Sequence, residues 1–285
     1  MAEQGKGMGE ILSRHGFRFN KGLGQNFLTD PTIPERMAER SRIDGTMGVL
    51  EIGPGMGVLT KPLAERAAAV VSVELDSRLL PVLRETLQGI ENVRVIGGDI
   101  MKEDLGALVA ENFQGLTPVA CANLPYNITT PVLEKLFESR LFGQITVMVQ
   151  KEVAERITAP PGTKTYGAFT VYANWMAQPE ILFSVPAGCF YPRPKVDSAV
   201  VLFKMREKPP EPVDEALFFR VVRAAFGQRR KTLLNALHAR FGGTLSKDAL
   251  AETLAAAGIS PMVRGEMLDI RAFAQITEKL CEKIG

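Results

Sequence analysis

Between residues 48 and 150 the chain alternates short apolar runs with amphipathic stretches. The runs Gly48–Ile52, Ala69–Leu75, Asn92–Ile96, Pro118–Ala122 and Gln144–Val149 read as strands, separated by helical stretches such as Leu59–Arg66 and Ser77–Leu87. That alternation predicts a mostly parallel sheet with helices on both faces. Two further strand-like runs, Ile181–Val185 and Ser198–Met205, flank a loop rich in proline and aromatics and predict an antiparallel edge. Near the start, Asp30 followed by Pro31 predicts a capped helix. At Glu207-Lys208-Pro209-Pro210-Glu211-Pro212, three prolines in six residues make a stiff linker. Beyond it the pattern is helical: Asp214–Phe226, Arg229–Arg240, Ser246–Ala257 and Ile270–Lys283, the last capped by Asp269. The expected division is an α/β domain over 1–206 and a smaller all-helical domain over 213–285. No internal repeat or low-complexity tract interrupts it.

A chain of 285 residues has ample core for this arrangement, and 46% apolar with 23% charged residues is an ordinary soluble balance. Three cysteines (Cys121, Cys189, Cys281) lie far apart without a Cys-x-x-Cys pair, which argues against a disulfide framework or a zinc site. Only His15 and His238 occur, so no metal site is expected. No apolar run reaches the length of a membrane span, and the start MAEQGKGMGE lacks a hydrophobic signal region. A soluble protein of a reducing compartment, the cytoplasm, is expected.

Candidate chemistry gathers at the strand ends. Glu51-Ile52-Gly53-Pro54-Gly55-Met56-Gly57 runs from a strand into a glycine-rich turn, where a backbone without side chains can pass close to a ligand. Alone this is a tight turn. The next strand, however, ends in Glu74, about twenty residues after Gly53, the spacing at which a carboxylate reaches a ribose diol. Dinucleotide sites favour Gly-x-Gly-x-x-Gly, with a pyrophosphate on the helix start. Here the spacing is Gly-x-Gly-x-Gly, and Glu51 is a poor neighbour for pyrophosphate but suits the ammonium of a methionyl group. The third strand adds Gly97-Gly98-Asp99, whose carboxylate can accept from an adenine amine, although Asp99 alone reads as a turn residue. S-adenosylmethionine fits these three strand ends better than a nicotinamide dinucleotide.

The fourth strand stops at Asn123-Leu124-Pro125-Tyr126. An exocyclic base amine is a poor nucleophile because its lone pair is delocalised into the ring. A site that methylates it accepts the amine hydrogens and turns the lone pair outward. Asn123 offers a side-chain oxygen and Leu124 a carbonyl, whose direction Pro125 restricts. The Tyr126 ring can stack on the base; stacking needs the ring and not the hydroxyl. Cys121, two residues earlier, reads as a core residue of the strand. In the loop 185–195, Phe190 is a candidate for the other face of the base, with Tyr191 expected to pack on the sheet as readily as to serve it, while Arg193 and Lys195 suit phosphates.

Together, Gln25-Asn26-Phe27-Leu28, Glu51–Gly57, Val73-Glu74, Gly98-Asp99, Asn123–Tyr126, Phe190-Tyr191-Pro192-Arg193-Pro194-Lys195-Val196-Asp197-Ser198 and Arg229-Arg230-Lys231-Thr232-Leu233 resemble the ribosomal RNA adenine N6-dimethyltransferases (KsgA/RsmA), in order and over nearly the whole chain. The resemblance implies a Rossmann-like class I S-adenosylmethionine-dependent methyltransferase sheet with a smaller all-helical C-terminal domain. It implies that Asn26 and Leu28 contact the cofactor with Gly53, Glu74, Asp99 and Asn123. It further implies a monomer that dimethylates two adjacent adenines near the 3′ end of 16S rRNA in the small ribosomal subunit. The likeness departs at Cys189, where alanine is usual, and at Gly265, where proline usually follows the arginine.

Charge distribution adds a nucleic-acid face. Between Ala216 and Lys247 lie Arg220, Arg223, Arg229, Arg230, Lys231, Arg240 and Lys247 and no acidic residue. Phe218, Phe219, Val222 and Phe226 supply the buried side, which turns the arginines outward as a phosphate-binding surface requires. Three rivals stand beside this reading: a DNA adenine methyltransferase, which commonly carries two prolines where this chain has Leu124-Pro125; a nicotinamide oxidoreductase, disfavoured by the glycine spacing; and a non-enzymatic RNA-binding factor, against which the intact Asn123, Pro125 and Tyr126 argue.

Overall fold

The computed structural model describes residues 10–17, 19, 22, 24–228 and 230–284. Among them are nine strands: β1 (Phe27–Leu28), β2 (Met47–Ile52), β3 (Ala69–Glu74), β4 (Val93–Gly97), β5 (Thr117–Asn123), β6 (Gln144–Gln150), β7 (Ala177–Val185), β8 (Phe190–Tyr191) and β9 (Ser198–Met205). Seven of them form one sheet in the order β4-β3-β2-β5-β6-β9-β7, and β1 pairs with β8 in a separate antiparallel ribbon. The chain builds outward from β2 through β3 to β4, then returns to the other side of β2 for β5 and β6, all parallel. This reversal opens a crevice beyond the carboxyl ends of β2 and β5, where ligands of such sheets lie. β9 runs antiparallel against β6, from Gln144↔Lys204 to Gln150↔Ser198. In β2 and β3 every residue after the first is buried, so both faces of the sheet are covered. β7 begins four residues before the apolar run that announced it. Its edge position explains this, because an edge strand tolerates Pro179 and exposed Gln178 and Glu180.

The helices between strands are α1 (Thr32–Arg40), α2 (Thr60–Ala64), α3 (Leu80–Thr86), α4 (Leu105–Asn112), α5 (Thr129–Ser139), α6 (Lys151–Ile157) and α7 (Ala168–Met176). Asp30 accepts the Thr32 N–H at 3.0 Å, so α1 starts one residue later than Pro31. The stretch expected as one helix over 77–87 divides into a 3-10 turn at Ser77–Leu79, capped by Asp76, and α3. α8 (Glu215–Gly227), α9 (Leu233–Phe241), α10 (Lys247–Ala256) and α11 (Ile270–Ile284) follow the proline linker. Asp214, Thr232, Ser246 and Asp269 each accept a backbone N–H of the first turn of one of them. The Thr232 cap starts α9 four residues after the expected Arg229.

Packing divides the chain into residues up to Ala154 with Glu180–Met205, and Glu155–Pro179 with the chain from Arg206 onward. The segment 155–179, which a boundary at the proline linker leaves with the sheet, thus packs with the helical unit. Trp175 of α7 stacks on Phe218 of α8 at 3.9 Å between ring centroids, and the Tyr166 hydroxyl donates to the Leu268 carbonyl at 2.8 Å. An aromatic pair of this kind adds about 0.5–1.5 kcal/mol beyond its buried area.

Candidate cofactor and base-binding site

After β2 the backbone turns through Gly53, Gly55 and Gly57, with φ of +69°, +62° and +81°. A side chain on Gly55 would come within 2.8 Å of the Phe27 ring, and one on Gly57 within 2.9 Å of Leu87. Around Gly53 no atom of the described residues lies within 4 Å of where a Cβ would stand. Gly53 lines a cleft with about 1090 Å³ of empty space open to solvent. Its missing side chain leaves room for a ligand.

Two carboxylates stand behind this turn. Glu74, at the end of β3, accepts the Gly55 N–H on Oε2 at 3.1 Å and the Asp76 N–H on Oε1 at 2.8 Å. It thereby ties the glycine turn to β3. Burial raises its pKa, against the pull of those backbone hydrogen bonds. Glu51 is 1% exposed; its Oε2 accepts the hydroxyls of Thr60 at 2.7 Å and Ser72 at 2.6 Å, while Oε1 has no partner among the described residues. Burial, the largest cause, pushes its pKa up to about 7 although both hydroxyl bonds oppose the rise. A buried carboxylate oxygen without a donor, on the wall of an open cleft, suits a small cation such as an ammonium. The residues present therefore fit S-adenosylmethionine: a carboxylate for the ammonium, Glu74 at ribose spacing, and open space at Gly53.

Asp99 lies on the same wall and accepts the Met101 N–H at 3.0 Å. It is a turn residue and a cleft residue at once. At the end of β5, Asn123 donates its amide hydrogen to the Asn26 carbonyl at 3.3 Å, and Asn26 donates to the Gly24 carbonyl at 3.0 Å. With its nitrogen committed to Asn26, the Asn123 amide presents an acceptor oxygen on its other side. The following turn is fixed at the Pro125 carbonyl, which accepts from the Ile128 N–H at 3.1 Å and the Thr129 hydroxyl at 3.3 Å. The Tyr126 hydroxyl meets Ser198 Oγ at 2.7 Å. Asn26, Leu28, Gly53, Glu74, Asp99, Asn123, Leu124, Pro125 and Tyr126 all line the one cleft.

Phe190 does not. It is 4% exposed in the hydrophobic core beside its partner Leu28, whereas Tyr191, paired with Phe27, is 61% exposed. The aromatic turned outward by that ribbon is the neighbour of the expected one. Leu75, 53% exposed, and buried Ile100 also line the cleft as apolar walls, and the sequence reading missed both. Their signal was available: each directly follows a carboxylate, Glu74 or Asp99, at a strand end. Cys121 is fully buried in β5, and burial pushes its thiol up beyond the range of a nucleophile.

Arg193 and Lys195 are exposed on the loop between β8 and β9. In the helical unit Arg220, Arg223, Arg230 and Lys231 are exposed, with the Arg220 guanidinium 5.3 Å from the centre of the Phe241 ring. Arg229 lies outside the described residues. Among the described residues, no helix is long and apolar enough to cross a membrane.

Comparison with known proteins agrees with this geometry. The family described as ribosomal RNA adenine dimethylase matches residues 16–277. The ribosomal RNA small subunit methyltransferase A of Geobacillus thermodenitrificans is 48% identical over 275 residues, covering 95% of this chain and 94% of the relative. That of Streptococcus gordonii is 46% identical over 274 residues, covering 95% and 94%. Among solved structures, a dimethyladenosine transferase from Plasmodium falciparum superposes with a TM-score of 0.76 at 26% identity, covering 90% of this chain and 98% of that one. The 23S rRNA methyltransferase ErmE does so at 0.69, also 26% identical, covering 90% and 99%. A glycine turn backed by two carboxylates, an Asn-Leu-Pro-Tyr turn on the same wall and these likenesses converge: the chain belongs to the ribosomal RNA adenine dimethylase family of S-adenosylmethionine-dependent methyltransferases.

Proposed function

We propose that the protein dimethylates the N6 amines of two adjacent adenines near the 3′ end of 16S rRNA, in the small ribosomal subunit and as part of its biogenesis. The observation that carries this reading is the placement of Asn123–Tyr126 on the cleft that also holds Glu51, Gly53, Glu74 and Asp99. S-adenosylmethionine bound there supplies an electrophilic methyl group on a sulfonium. Asn26, Leu28, Gly53, Glu74, Asp99 and Asn123 hold it, with the Glu51 carboxylate toward its ammonium.

Asn123 Oδ1 and the Leu124 carbonyl accept the two hydrogens of the target amine, which directs the nitrogen lone pair along the cleft. Tyr126 stacks on the base, a contact worth about 1–3 kcal/mol. No general base is required, because the proton is acidic once the amine is cationic. Most of the acceleration comes from holding nitrogen and methyl in line. The exposed Arg193 and Lys195, with Arg220, Arg223, Arg229, Arg230 and Lys231, contact phosphates. The protein works as a monomer in the cytoplasm, where its particle substrate is assembled; a single monomeric boundary in sedimentation tests the first point.

The functional test is methyl transfer from tritiated S-adenosylmethionine to small subunits lacking adenine dimethylation, with the product mapped. Label on adjacent adenines near the 3′ end is expected; label elsewhere, or none, overturns the reading. Asn123→Ala is expected to slow single-turnover transfer at least about a hundredfold while changing RNA affinity less than about threefold, since the amide acts on the reacting atom. Equal losses in both would move Asn123 from the reaction to substrate binding.

A further inference from the structure

We propose that Ser198 is a positioning residue for base methylation: its hydroxyl anchors the Tyr126 hydroxyl and so sets the position and tilt of the tyrosine ring against the target adenine. The inference rests on the reading that the target base stacks on Tyr126.

Tyr126 and Ser198 stand 72 residues apart, and their hydroxyl oxygens are 2.7 Å apart. The two ends of this bond differ in freedom. Ser198 opens β9, is fully buried, and is paired with Gln150 of β6. Its neighbour Asp197 is held from two further directions: its side chain accepts the Ala187 N–H at 2.9 Å and its carbonyl accepts the Lys151 N–H at 2.9 Å. Ser198 Oγ is thus a fixed point of the scaffold. Tyr126 is half-buried on the cleft wall, in a turn held by the Leu124 N–H on the Met148 carbonyl and by the Pro125 carbonyl, neither of which touches its ring. Its ring could swing about the Cα–Cβ bond if nothing held the far end. The bond to Ser198 grips the ring at the atom most distant from that pivot, where a small force best restrains the swing and so the tilt of the ring.

Stacking depends on the plane of the ring, and methyl transfer depends on the line from amine nitrogen to sulfonium methyl. A tilt of the platform tilts the base, and with it the lone pair. Burial also raises the Tyr126 pKa, more than its bond to Ser198 lowers it, so the hydroxyl stays protonated and available to donate or accept. The Asp197-Ser198 pair, which the sequence alone leaves without a task, thereby joins the Asn-Leu-Pro-Tyr turn in one unit.

The test is a double-mutant cycle on the full chain, read by single-turnover transfer to undermethylated small subunits at saturating enzyme and S-adenosylmethionine. Ser198→Ala and Tyr126→Phe are each expected to slow the chemical step by roughly tenfold. The double variant is expected to be no slower than either single within about twofold, because both remove the same bond. Cofactor affinity and subunit affinity, measured well below the melting temperature, should stay at wild-type values, a split that a merely structural serine would not produce. Ser198→Thr, which retains the hydroxyl, should recover most of the rate. A wild-type rate for Ser198→Ala, or a double variant as slow as the product of the singles, overturns the proposal. Tyr126→Phe as inactive as Tyr126→Ala beside a fully active Ser198→Ala would place the phenol on the substrate itself and also overturn it. Failure of the wild-type protein to methylate the particles is a different result, and sinks the functional reading on which this one stands.

Discussion

Burial holds the Glu51 carboxyl near pKa 7, against an ordinary value of 4.5. Between those values the folded chain binds a proton that the unfolded chain has released, so stability falls as pH rises through that window. Glu51→Gln keeps an acceptor for Thr60 and Ser72 but cannot ionise. It is expected to melt higher than wild type at about pH 8 and with it at about pH 4. Cofactor binding carries the opposite sign, since an ammonium near Oε1 favours the ionised carboxylate. Calorimetric affinity for S-adenosylmethionine should rise between about pH 6 and 8 in wild type and lose that rise in Glu51→Gln; the same slope in both would separate Glu51 from the ammonium. At Glu74, substitution by alanine removes charge-assisted hydrogen bonds and should weaken the cofactor about tenfold to a hundredfold. Unchanged affinity would remove Glu74 from the site. Glu74 and Asp99 were legible in the sequence because each closes an apolar run. The neighbours of Glu51 were not. Ser72 reaches it only through the β2–β3 register that pairs these two residues, and Thr60 only through the path of the glycine turn.

The elements themselves were legible in outline, since apolar runs fix where strands lie. Their ends and facing registers depend on pairing that the runs do not encode. Phe190 shows the difference. In a two-residue ribbon the two rings point to opposite faces, and the core takes Phe190 while Tyr191 stays exposed although its partner Phe27 is buried, so packing beyond the ribbon makes the choice. The glycine turn separates two kinds of glycine within one element. Gly57→Ala forces a Cβ into Leu87 at positive φ and is expected to lower the melting temperature by several degrees. Gly53→Ala meets no atom of the described residues, so it should cost only the backbone strain of about 1–2 kcal/mol. Its larger effect should fall on S-adenosylmethionine affinity. Equal melting losses without an affinity difference would mean that the open side of Gly53 has no occupant. Gly265, the departure where proline is usual, also has a reason in packing: a Cβ there would lie 2.8 Å from the Ala225 side chain.

Across the whole molecule, a net charge of +2 conceals a helical unit in which Arg223, Arg230 and Lys231 stand exposed. Replacing the three by alanine should lower RNA affinity and flatten the dependence of log affinity on log salt, by somewhat less than one unit of slope for each phosphate no longer neutralised. Cofactor affinity should not change, and an unaltered slope would leave these residues as solvated surface. The unit boundaries were the least legible feature at this scale. The proline linker is a strong local signal, but the stacking of Trp175 on Phe218 joins residues far apart in sequence. Each unit is assembled from two separated pieces of chain. The strand order β6-β9-β7 has a consequence for synthesis on the ribosome. β6 emerges early, yet the strand that covers its outer edge is completed only at Met205. At about 5–20 residues per second, an apolar strand edge stands open for several seconds in every nascent chain. Translation speed and chaperone capture between residues 150 and 205 therefore bear directly on yield. Nascent chains arrested before β9 should be cut by protease within the sheet, and those arrested far enough beyond Met205 to expose it should resist.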